Sequence, residues 1–204
     1  MTLRLRRWLK GRRGMNDRVP PGQHLVSGFP VLHVGPVPPF APKTWRLRVF
    51  GLVAEERSYT YAELTSGTLL PLTTVQTDFH CVTTWSKLDN IWEGVKFTDL
   101  LAQVRLQPGA RYVMAHCTHG YTTNIPLADL KHDDVLLAWR HNGADLSPEH
   151  GYPLRLLVPH LYGWKSAKWL RGLEFMADDA PGFWEQRGYH MYGDPWREQR
   201  YAWD

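Results

Sequence analysis

Only two cysteines occur in this sequence, at positions 81 and 117. A cysteine thiolate is both a nucleophile and a metal ligand. Cys81 lies near the end of the segment Val75–Val82, whose residues alternate as in a half-buried strand, with Cys81 on the same face as Val75 and Phe79. We expect a loop of Thr, Trp and Ser residues to follow, which lets the thiol face a pocket. Free cysteine is also among the residues most often buried, so the spacing alone leaves both interpretations open.

A second chemical signal is an arginine inside an apolar run. Arg155 interrupts the segment Leu154–Val158, and the glycine-led loop 163–168 that follows carries Ser166 and Lys168. An unpaired buried charge is costly, so Arg155 needs a counter-charge. The loop supplies hydroxyl, ammonium and backbone N–H groups, which suit an anion. The alternative is an internal ion pair for Arg155 with solvated lysines on a turn.

Histidines are frequent but scattered, and His116, Cys117 and His119 lie close enough in sequence for a zinc or copper site to be considered. The segment lacks the ligand spacing of structural zinc sites. It also has a strand pattern, in which successive side chains point to opposite faces. These two features argue against a metal at this cluster.

The elements that must position these residues are mostly strands. Fifteen Pro and seventeen Gly favour turns over long helices, and residues 19–43 are predicted to be irregular. Asn142-Gly143 predicts a hairpin turn. Together these patterns predict one strand-rich mixed domain of the α+β class over residues 21–204. The predicted strands are Trp45–Val49, Val75–Val82, Arg111–Cys117, Tyr121–Ile125, Val135–Arg140, Leu154–Val158 and Trp169–Met176, with a helical turn at Tyr61–Leu64 and a short helix capped by Thr98 that runs to Val104.

The positive charge is concentrated at the N-terminus. Residues 1–18 contain seven Lys/Arg and one acid, which gives them a net charge of +6. Because the whole chain carries +4, the remaining residues carry −2. We expect residues 1–20 to form a basic, disordered arm, and we expect no nucleic-acid-binding domain. The arm lacks the apolar core of a signal peptide, and no apolar run is long enough to span a membrane. We therefore expect a cytoplasmic protein without disulfides.

Taken together, these segments resemble the molybdopterin-binding domain of the sulfite oxidase family, from about Trp45 to Lys168 and onward to the C-terminus. Each block is weak alone, but several in family order are specific. The blocks are Phe79-His80-Cys81-Val82-Thr83-Thr84-Trp85-Ser86, Trp92-Glu93-Gly94-Val95, Gly120-Tyr121-Thr122-Thr123-Asn124-Ile125-Pro126-Leu127, Asn142-Gly143, Gly151-Tyr152-Pro153-Leu154-Arg155 and Lys165-Ser166-Ala167-Lys168-Trp169-Leu170.

The resemblance implies a molybdenum–molybdopterin cofactor with Cys81 as its one protein ligand to the metal. In the family, an arginine and a short stretch ending in lysine hold the pterin phosphate. The matching positions here are Arg155 and Ser166-Ala167-Lys168, with His150 and Cys117 at further cofactor-contacting positions. The C-terminal stretch from Tyr189 is aromatic and is expected to wall the pocket. The predicted catalytic residues are Cys81, Tyr121, His190 and Tyr192.

The departures from the family pattern bear on the substrate. Sulfite oxidases follow the ligand cysteine with a basic, Asn-Arg-rich stretch, whereas this chain has Val82-Thr83-Thr84-Trp85-Ser86, which is more similar to the catalytic subunit of the bacterial protein-methionine-sulfoxide reductase. We therefore expect an oxidoreductase acting on a small S-oxide or N-oxide. It must exchange electrons with an external partner, because the chain has no CxxCH haem motif. The alternatives are a sulfite-oxidising enzyme, a non-catalytic molybdopterin carrier, and a nucleic-acid or membrane-surface binder acting through residues 1–18.

Overall fold

The computed structural model describes residues 15–204, so residues 1–14 of the predicted arm lie outside the described part. The described chain is dominated by strands, with two short α-helices and several 3₁₀ turns. The strands are β1 (His24–Leu25), β2 (Arg46–Gly51), β3 (Arg57–Thr60), β4 (Leu72–His80), β5 (Trp85–Lys96), β6 (Tyr112–Cys117), β7 (Thr122–Pro126), β8 (Leu136–His141), β9 (Ala144–Asp145), β10 (Arg155–Leu157) and β11 (Leu170–Met176), and the helices are α1 (Tyr61–Thr65) and α2 (Phe97–Ala102). The 3₁₀ turns are Met15–Arg18, Thr118–Gly120, Asp129–Lys131, Pro148–His150, Glu185–Arg187 and Pro195–Arg197.

These strands form two sheets around a shared core. The first has the order β1-β5-β8-β10, with β4 added beside β5 and β9 beside β8; the second has the order β3-β2-β11-β6-β7. Apolar side chains of both sheets, such as Leu137 of β8 and Leu173 of β11, belong to one fully buried cluster. A smaller aromatic cluster lies on β4 and β5 and includes Phe79, Trp85 and Trp92. The prediction of a strand-rich α+β fold is confirmed.

The hairpin β4–β5 carries Cys81 in its turn. The two strands pair from Leu72 opposite Val95 to His80 opposite Ser86. A hydrogen bond of 2.9 Å from the Cys81 amide to the Trp85 carbonyl closes the turn. The loop predicted after Cys81 is therefore confined to a tight turn, and its Trp and Ser residues already belong to β5.

Strand β5 was not predicted because its pairing is interrupted. Its register against β8 shifts between Glu93 and Gly94. A Cβ at Gly94 would lie 2.1 Å from the Leu137 carbonyl oxygen, so only glycine allows β8 to approach this closely. The bulge breaks the period-two alternation that identifies a half-buried strand.

Two local predictions have different outcomes. The Asn142-Gly143 hairpin is confirmed, because β8 and β9 pair from Arg140 opposite Asp145 on either side of it. The N-cap assigned to Thr98 is wrong. Helix α2 begins at Phe97 behind Lys96, whose extended backbone (φ −63°, ψ 142°) makes no side-chain cap hydrogen bond, and the helix ends at Ala102 rather than at Val104.

The two ends of the described chain pack on the hairpin β4–β5 and its turn. Arg18, inside the predicted arm, donates from Nε to Asp78 at 2.9 Å and from Nη2 to Asp89 at 2.8 Å. Near the C-terminus, Arg200 donates to the Val82 carbonyl at 2.8 Å and to the Pro21 carbonyl at 3.4 Å. Within residues 15–204, no helix combines the length and apolar character needed to cross a bilayer.

Candidate active site

A cavity of about 330 Å³ lies beside the Cys81 turn. It collects most of the predicted site residues, although they come from three separate parts of the chain, at Cys81, at Tyr121 and within residues 150–168. It is lined by Phe29, Pro30, Leu32, His33, Val34, Phe79, Cys81, Val82, Thr83, Trp85, Tyr121, His150, Arg155, Gly163, Trp164, Ser166, Ala167, Lys168, Trp169, Trp184 and Tyr189. We call His150, Arg155 and Lys168 the basic wall, and Tyr121, Trp164, Trp184 and Tyr189 the aromatic wall.

Among the described residues, Arg155 of the basic wall is a buried cation without an anionic partner. It is 2% exposed on β10, and its Nη1 and Nη2 atoms donate to the carbonyls of His150 (3.0 Å) and Ser166 (2.9 Å). Its Nε has no hydrogen-bond partner in the part of the chain that the structure describes. No salt bridge to Arg155 exists within the described residues. Burial lowers the pKa of Arg155 to about 10, which leaves it charged at neutral pH and in need of an anion.

Lys168 adds a second positive charge to the basic wall. Its ammonium donates to the carbonyls of Leu32 (2.7 Å) and Glu149 (2.6 Å), again without a carboxylate partner in the described part of the chain. Burial and, next, the charge of Arg155 lower the pKa of Lys168 to about 7. Gly151 allows the two side chains to approach, because a Cβ there would lie 3.2 Å from both. The basic wall therefore fits a bound phosphate group.

His150 contributes its ring rather than a free nitrogen. Its Nε2 lies 2.9 Å from the Phe29 carbonyl oxygen and its Nδ1 lies 2.8 Å from the Ser147 hydroxyl. The imidazole stacks on Phe29 at 4.7 Å. Burial lowers the pKa of His150, so it is neutral at physiological pH and presents a flat surface to the cavity.

The loop 163–168 is clamped against the strand that leads to Cys81. The Gly163 amide donates to the His80 carbonyl at 2.7 Å, and a Cβ on Gly163 would lie 2.6 Å from the Phe79 ring. The Ser166 hydroxyl accepts from the Val158 amide at 2.9 Å, and Ala167 is 1% exposed. The glycine and the small residues thus hold the loop close to the thiol.

Cys81 lines the same cavity as the two walls. Its side chain is largely buried, with Sγ 3.2 Å from the Thr83 hydroxyl oxygen. Burial raises the pKa of the Cys81 thiol, while Thr83, Lys168 and Arg200 act in the opposite direction. A bound metal ion removes the thiol proton outright, so this environment suits a thiolate ligand better than a free thiolate.

The aromatic wall is braced from behind by a buried ion pair. Tyr121 donates its hydroxyl to the Trp164 carbonyl at 2.6 Å, and the Trp164 indole donates to Glu185 at 2.8 Å. Glu185 in turn lies 2.6 Å from the Lys165 ammonium, and both side chains are fully buried. Tyr189 packs edge-on against Trp164 at 5.2 Å. Burial raises the pKa of Tyr121 well above its usual value, so its hydroxyl stays protonated.

Three predicted site residues do not line the cavity. The thiol of Cys117 is buried at the end of β6, and burial raises its pKa. His190 turns away, because its Nδ1 accepts the amides of Tyr192 and Gly193 at 2.9 and 3.2 Å. The Tyr192 hydroxyl donates to Asp129 at 2.7 Å. The interpretation of a metal site at His116, Cys117 and His119 gains no support, since His116 lies 2.8 Å from Glu174.

The lining residues that our sequence analysis did not name are mostly aromatic. Trp184, Phe29 and His33 line the cavity. Of the C-terminal stretch that we expected to wall the pocket, Tyr189 lines the cavity, whereas His190 and Tyr192 do not. Tyr189 is one residue before the predicted His190. The segment around it has no regular period, so no sequence pattern fixes which of its side chains faces inward.

Comparison with known proteins agrees with this site. Residues 34–184 match the oxidoreductase molybdopterin binding domain family. The chain is 48% identical over 190 residues to the uncharacterized oxidoreductase YuiH of Bacillus subtilis, with 93% of this chain and 94% of YuiH covered. It is 34% identical to the putative protein-methionine-sulfoxide reductase subunit YedZ1 of Azospira oryzae, with 74% of this chain and 56% of that protein covered.

A solved structure shows the same fold. The sulfane dehydrogenase SoxCD of Paracoccus pantotrophus superimposes with a TM-score of 0.62 at 25% sequence identity, covering 70% of this chain and 40% of that one. The chain therefore belongs to the oxidoreductase molybdopterin binding domain family. It is a molybdopterin-dependent oxidoreductase of the sulfite oxidase type, and its cofactor is molybdenum–molybdopterin.

Proposed function

We propose that this oxidoreductase reduces small, uncharged S-oxides or N-oxides with electrons from an external protein. The observation that carries the proposal is the absence of charge on the cavity lining around Cys81, apart from the basic wall. Val82, Thr83, Trp184 and Tyr189 present apolar surface, indole rings and hydroxyls there. A doubly charged oxyanion such as sulfite requires fixed cations at its binding site.

The cations close to this region are already engaged. Arg155 and Lys168 are bonded to backbone carbonyls in the basic wall, where the phosphate of the cofactor is their natural counter-charge. Arg200 does not line the cavity. It binds the Val82 and Pro21 carbonyls and lies over the Tyr162 ring at 4.9 Å.

We assign the roles of the residues accordingly. Cys81 is the metal ligand, and Arg155, Lys168 and the backbone of Ser166-Ala167 hold the cofactor phosphate. When bound, the cofactor supplies two-electron oxygen-atom transfer chemistry. Tyr189 and Thr83 orient the substrate oxygen by hydrogen bonding, and the indole of Trp164 excludes water from the reacting atoms.

The reaction needs a source of electrons and protons. Reduction of an S-oxide consumes two electrons and two protons and yields one thioether and one water molecule. The sequence contains no CxxCH motif and only two cysteines, so we propose that a separate redox protein delivers the electrons. One relative, YedZ1 of Azospira oryzae, is described as a putative protein-methionine-sulfoxide reductase subunit, which supports an S-oxide as the reacting group.

The test is a pair of steady-state assays on molybdenum-replete protein. Reduction of dimethyl sulfoxide, methionine sulfoxide and trimethylamine N-oxide is followed with a reduced viologen dye, and sulfite oxidation is followed with ferricyanide. We expect turnover in the first assay and little in the second, with Cys81→Ser as the inactive control for both. Efficient sulfite oxidation without any S-oxide or N-oxide reduction would refute the proposal.

A further inference from the structure

A cluster of metal-ligating side chains lies outside the cofactor cavity. Asp129 opens the 3₁₀ turn Asp129–Lys131, and His132 follows three residues later, so both side chains emerge from one turn. His160 joins them from the turn after β10. One ligand atom from each of the three residues lies within 4.8 Å of the others. None of the three lines the cavity beside Cys81.

The spacing of the cluster suits a first-row transition metal. His160 Nε2 lies 3.0 Å from Asp129 Oδ1, and the imidazole rings of His132 and His160 stack at 4.3 Å with 27° between their planes. Tetrahedral ligands with bonds of about 2.0–2.1 Å to zinc lie about 3.3 Å from each other. The three side chains therefore need only small movements to share one ion.

Two further observations point to a ligand. The Tyr192 hydroxyl donates to Asp129 Oδ1 at 2.7 Å, as an outer hydrogen bond to a metal-binding carboxylate commonly does. In addition, His160 Nδ1 is buried and has no hydrogen-bond partner within the described residues. A buried imidazole nitrogen left in this way costs free energy, so the contacts of the His160 ring within the described residues leave it incompletely satisfied.

We propose that Asp129, His132 and His160 bind a divalent zinc-class cation at a site separate from the molybdenum cofactor. Two imidazoles and one carboxylate form a donor set that suits zinc, cobalt, nickel or copper, and water can complete the coordination. His132 is exposed, which gives the ion a path from solvent. Through Tyr192 the site connects the turn at Asp129 to the C-terminal segment that also supplies Tyr189, so the ion stabilises that segment.

The experiment uses the purified holoenzyme after treatment with a chelator and dialysis. Zinc is added, unbound metal is removed, and zinc and molybdenum per chain are measured by elemental analysis. Cobalt(II) is titrated in parallel, because bound tetrahedral cobalt gives visible absorption bands. The variants are His132→Ala, whose exposed side chain can be removed without disturbing the core, and Asp129→Asn. His24→Ala removes an exposed histidine outside the cluster and serves as the matched control.

We expect wild type and His24→Ala to retain about one zinc per chain and to show the cobalt bands. We expect His132→Ala and Asp129→Asn to bind at least tenfold more weakly, with molybdenum content unchanged, and added zinc to raise the melting temperature only where it binds. Substoichiometric zinc in the wild type, or His132→Ala binding as tightly as His24→Ala, overturns the proposal. A loss of molybdenum together with zinc shows that the two sites are not separate and also overturns it.

Discussion

The two walls of the cavity are built in different ways. The side chains of the basic wall belong to one continuous stretch, residues 150–168, in which Arg155 donates to the His150 and Ser166 carbonyls and Lys168 donates to the Leu32 and Glu149 carbonyls. The aromatic wall combines Tyr121 and Trp164 with Trp184 and Tyr189, two residues of an irregular segment more than 60 residues after Tyr121. Backbone carbonyls thus hold the positive charges, whereas side-chain packing between distant segments shapes the surface proposed to contact the substrate.

This difference predicts that cofactor binding and substrate selection can be altered independently. Changes in the basic wall should lower cofactor occupancy without altering the substrate preference of the loaded enzyme. Changes in the aromatic wall should alter the substrate preference without lowering cofactor occupancy. Cys81, which lines the same cavity as both walls, is the residue at which both properties should fail together.

The largest effect is expected at Cys81. Cys81→Ser should fold, since within residues 15–204 the polar contacts of the thiol are with Thr83, but it should lose most of its molybdenum and at least two orders of magnitude in activity. The measurements are elemental analysis and dye-linked turnover. Cys117→Ser is the matched control, because Cys117 does not line the cavity and should keep its metal. An active Cys81→Ser enzyme would exclude Cys81 as the ligand.

A smaller loss is expected in the basic wall. Lys168→Met and Arg155→Lys each remove charge-assisted hydrogen bonds worth about 1.5–3 kcal/mol, which is roughly a 10- to 100-fold loss of cofactor affinity. Pterin content of the purified variants measures it, and turnover per bound cofactor should stay near the wild-type value. Lys43→Met, at an exposed lysine, is the control. Unchanged pterin content in both wall variants would place the phosphate elsewhere.

The lowered pKa of Lys168 predicts a pH dependence. Without an anion, Lys168 loses its charge as the pH rises through about 7, and a bound phosphate restores that charge. Above pH 7 binding must therefore take up a proton, and affinity should fall by up to about tenfold per pH unit. Calorimetric titration of cofactor-free protein with pyrophosphate from pH 6 to 9 tests this. Lys168→Met should lose the slope, and a flat wild-type profile would contradict the assignment.

In the aromatic wall, Tyr189→Phe tests substrate contact. Loss of one hydrogen bond of about 0.5–1.5 kcal/mol should raise KM for sulfoxides by roughly 2- to 10-fold, with cofactor content unchanged. Tyr201→Phe provides the comparison, because Tyr201 packs on Tyr189 at 5.6 Å but does not line the cavity. Equal effects of the two substitutions would mean that Tyr189 acts only through packing.

The smallest effect is expected outside both walls. Deletion of residues 1–14 should leave cofactor content and turnover near normal, because long-range attraction by their Lys and Arg charges is screened beyond about 8 Å in physiological salt. Arg18→Ala should lower the free energy of unfolding by no more than about 1 kcal/mol, since its ion pairs with Asp78 and Asp89 are partly exposed. Chemical denaturation measures the change in unfolding free energy for Arg18→Ala.

For the deletion variant, the measurements are pterin content and turnover. A variant without residues 1–14 that fails to bind pterin would make the arm part of the site.

The same contrast explains what the sequence could predict. Arg155 stood out because a charge in an apolar strand demands a partner, and Lys168 lies in a glycine-led basic loop close to it in sequence. Cys81 was predicted at the end of a strand because β4 alternates regularly up to Thr77, and the strand ends one residue before Cys81, at His80. The aromatic stretch from Tyr189 was expected to wall the pocket, but His190 and Tyr192 rather than Tyr189 were named as catalytic, since side-chain direction in an irregular segment depends on contacts such as those with Trp164 and Trp184. Strand β5 was missed because its bulge at Gly94 hides the alternation.

The indole rings around the cavity also allow cofactor binding to be followed by the intrinsic tryptophan fluorescence of the protein. Four of the ten tryptophans, Trp85, Trp164, Trp169 and Trp184, line the cavity, whereas Trp45 and Trp139 are buried in the core away from it. A conjugated pterin within a few ångströms of an indole quenches its emission. Loading of the cofactor should therefore dim part of the intrinsic fluorescence and leave a constant background, which allows insertion to be followed in real time without a label.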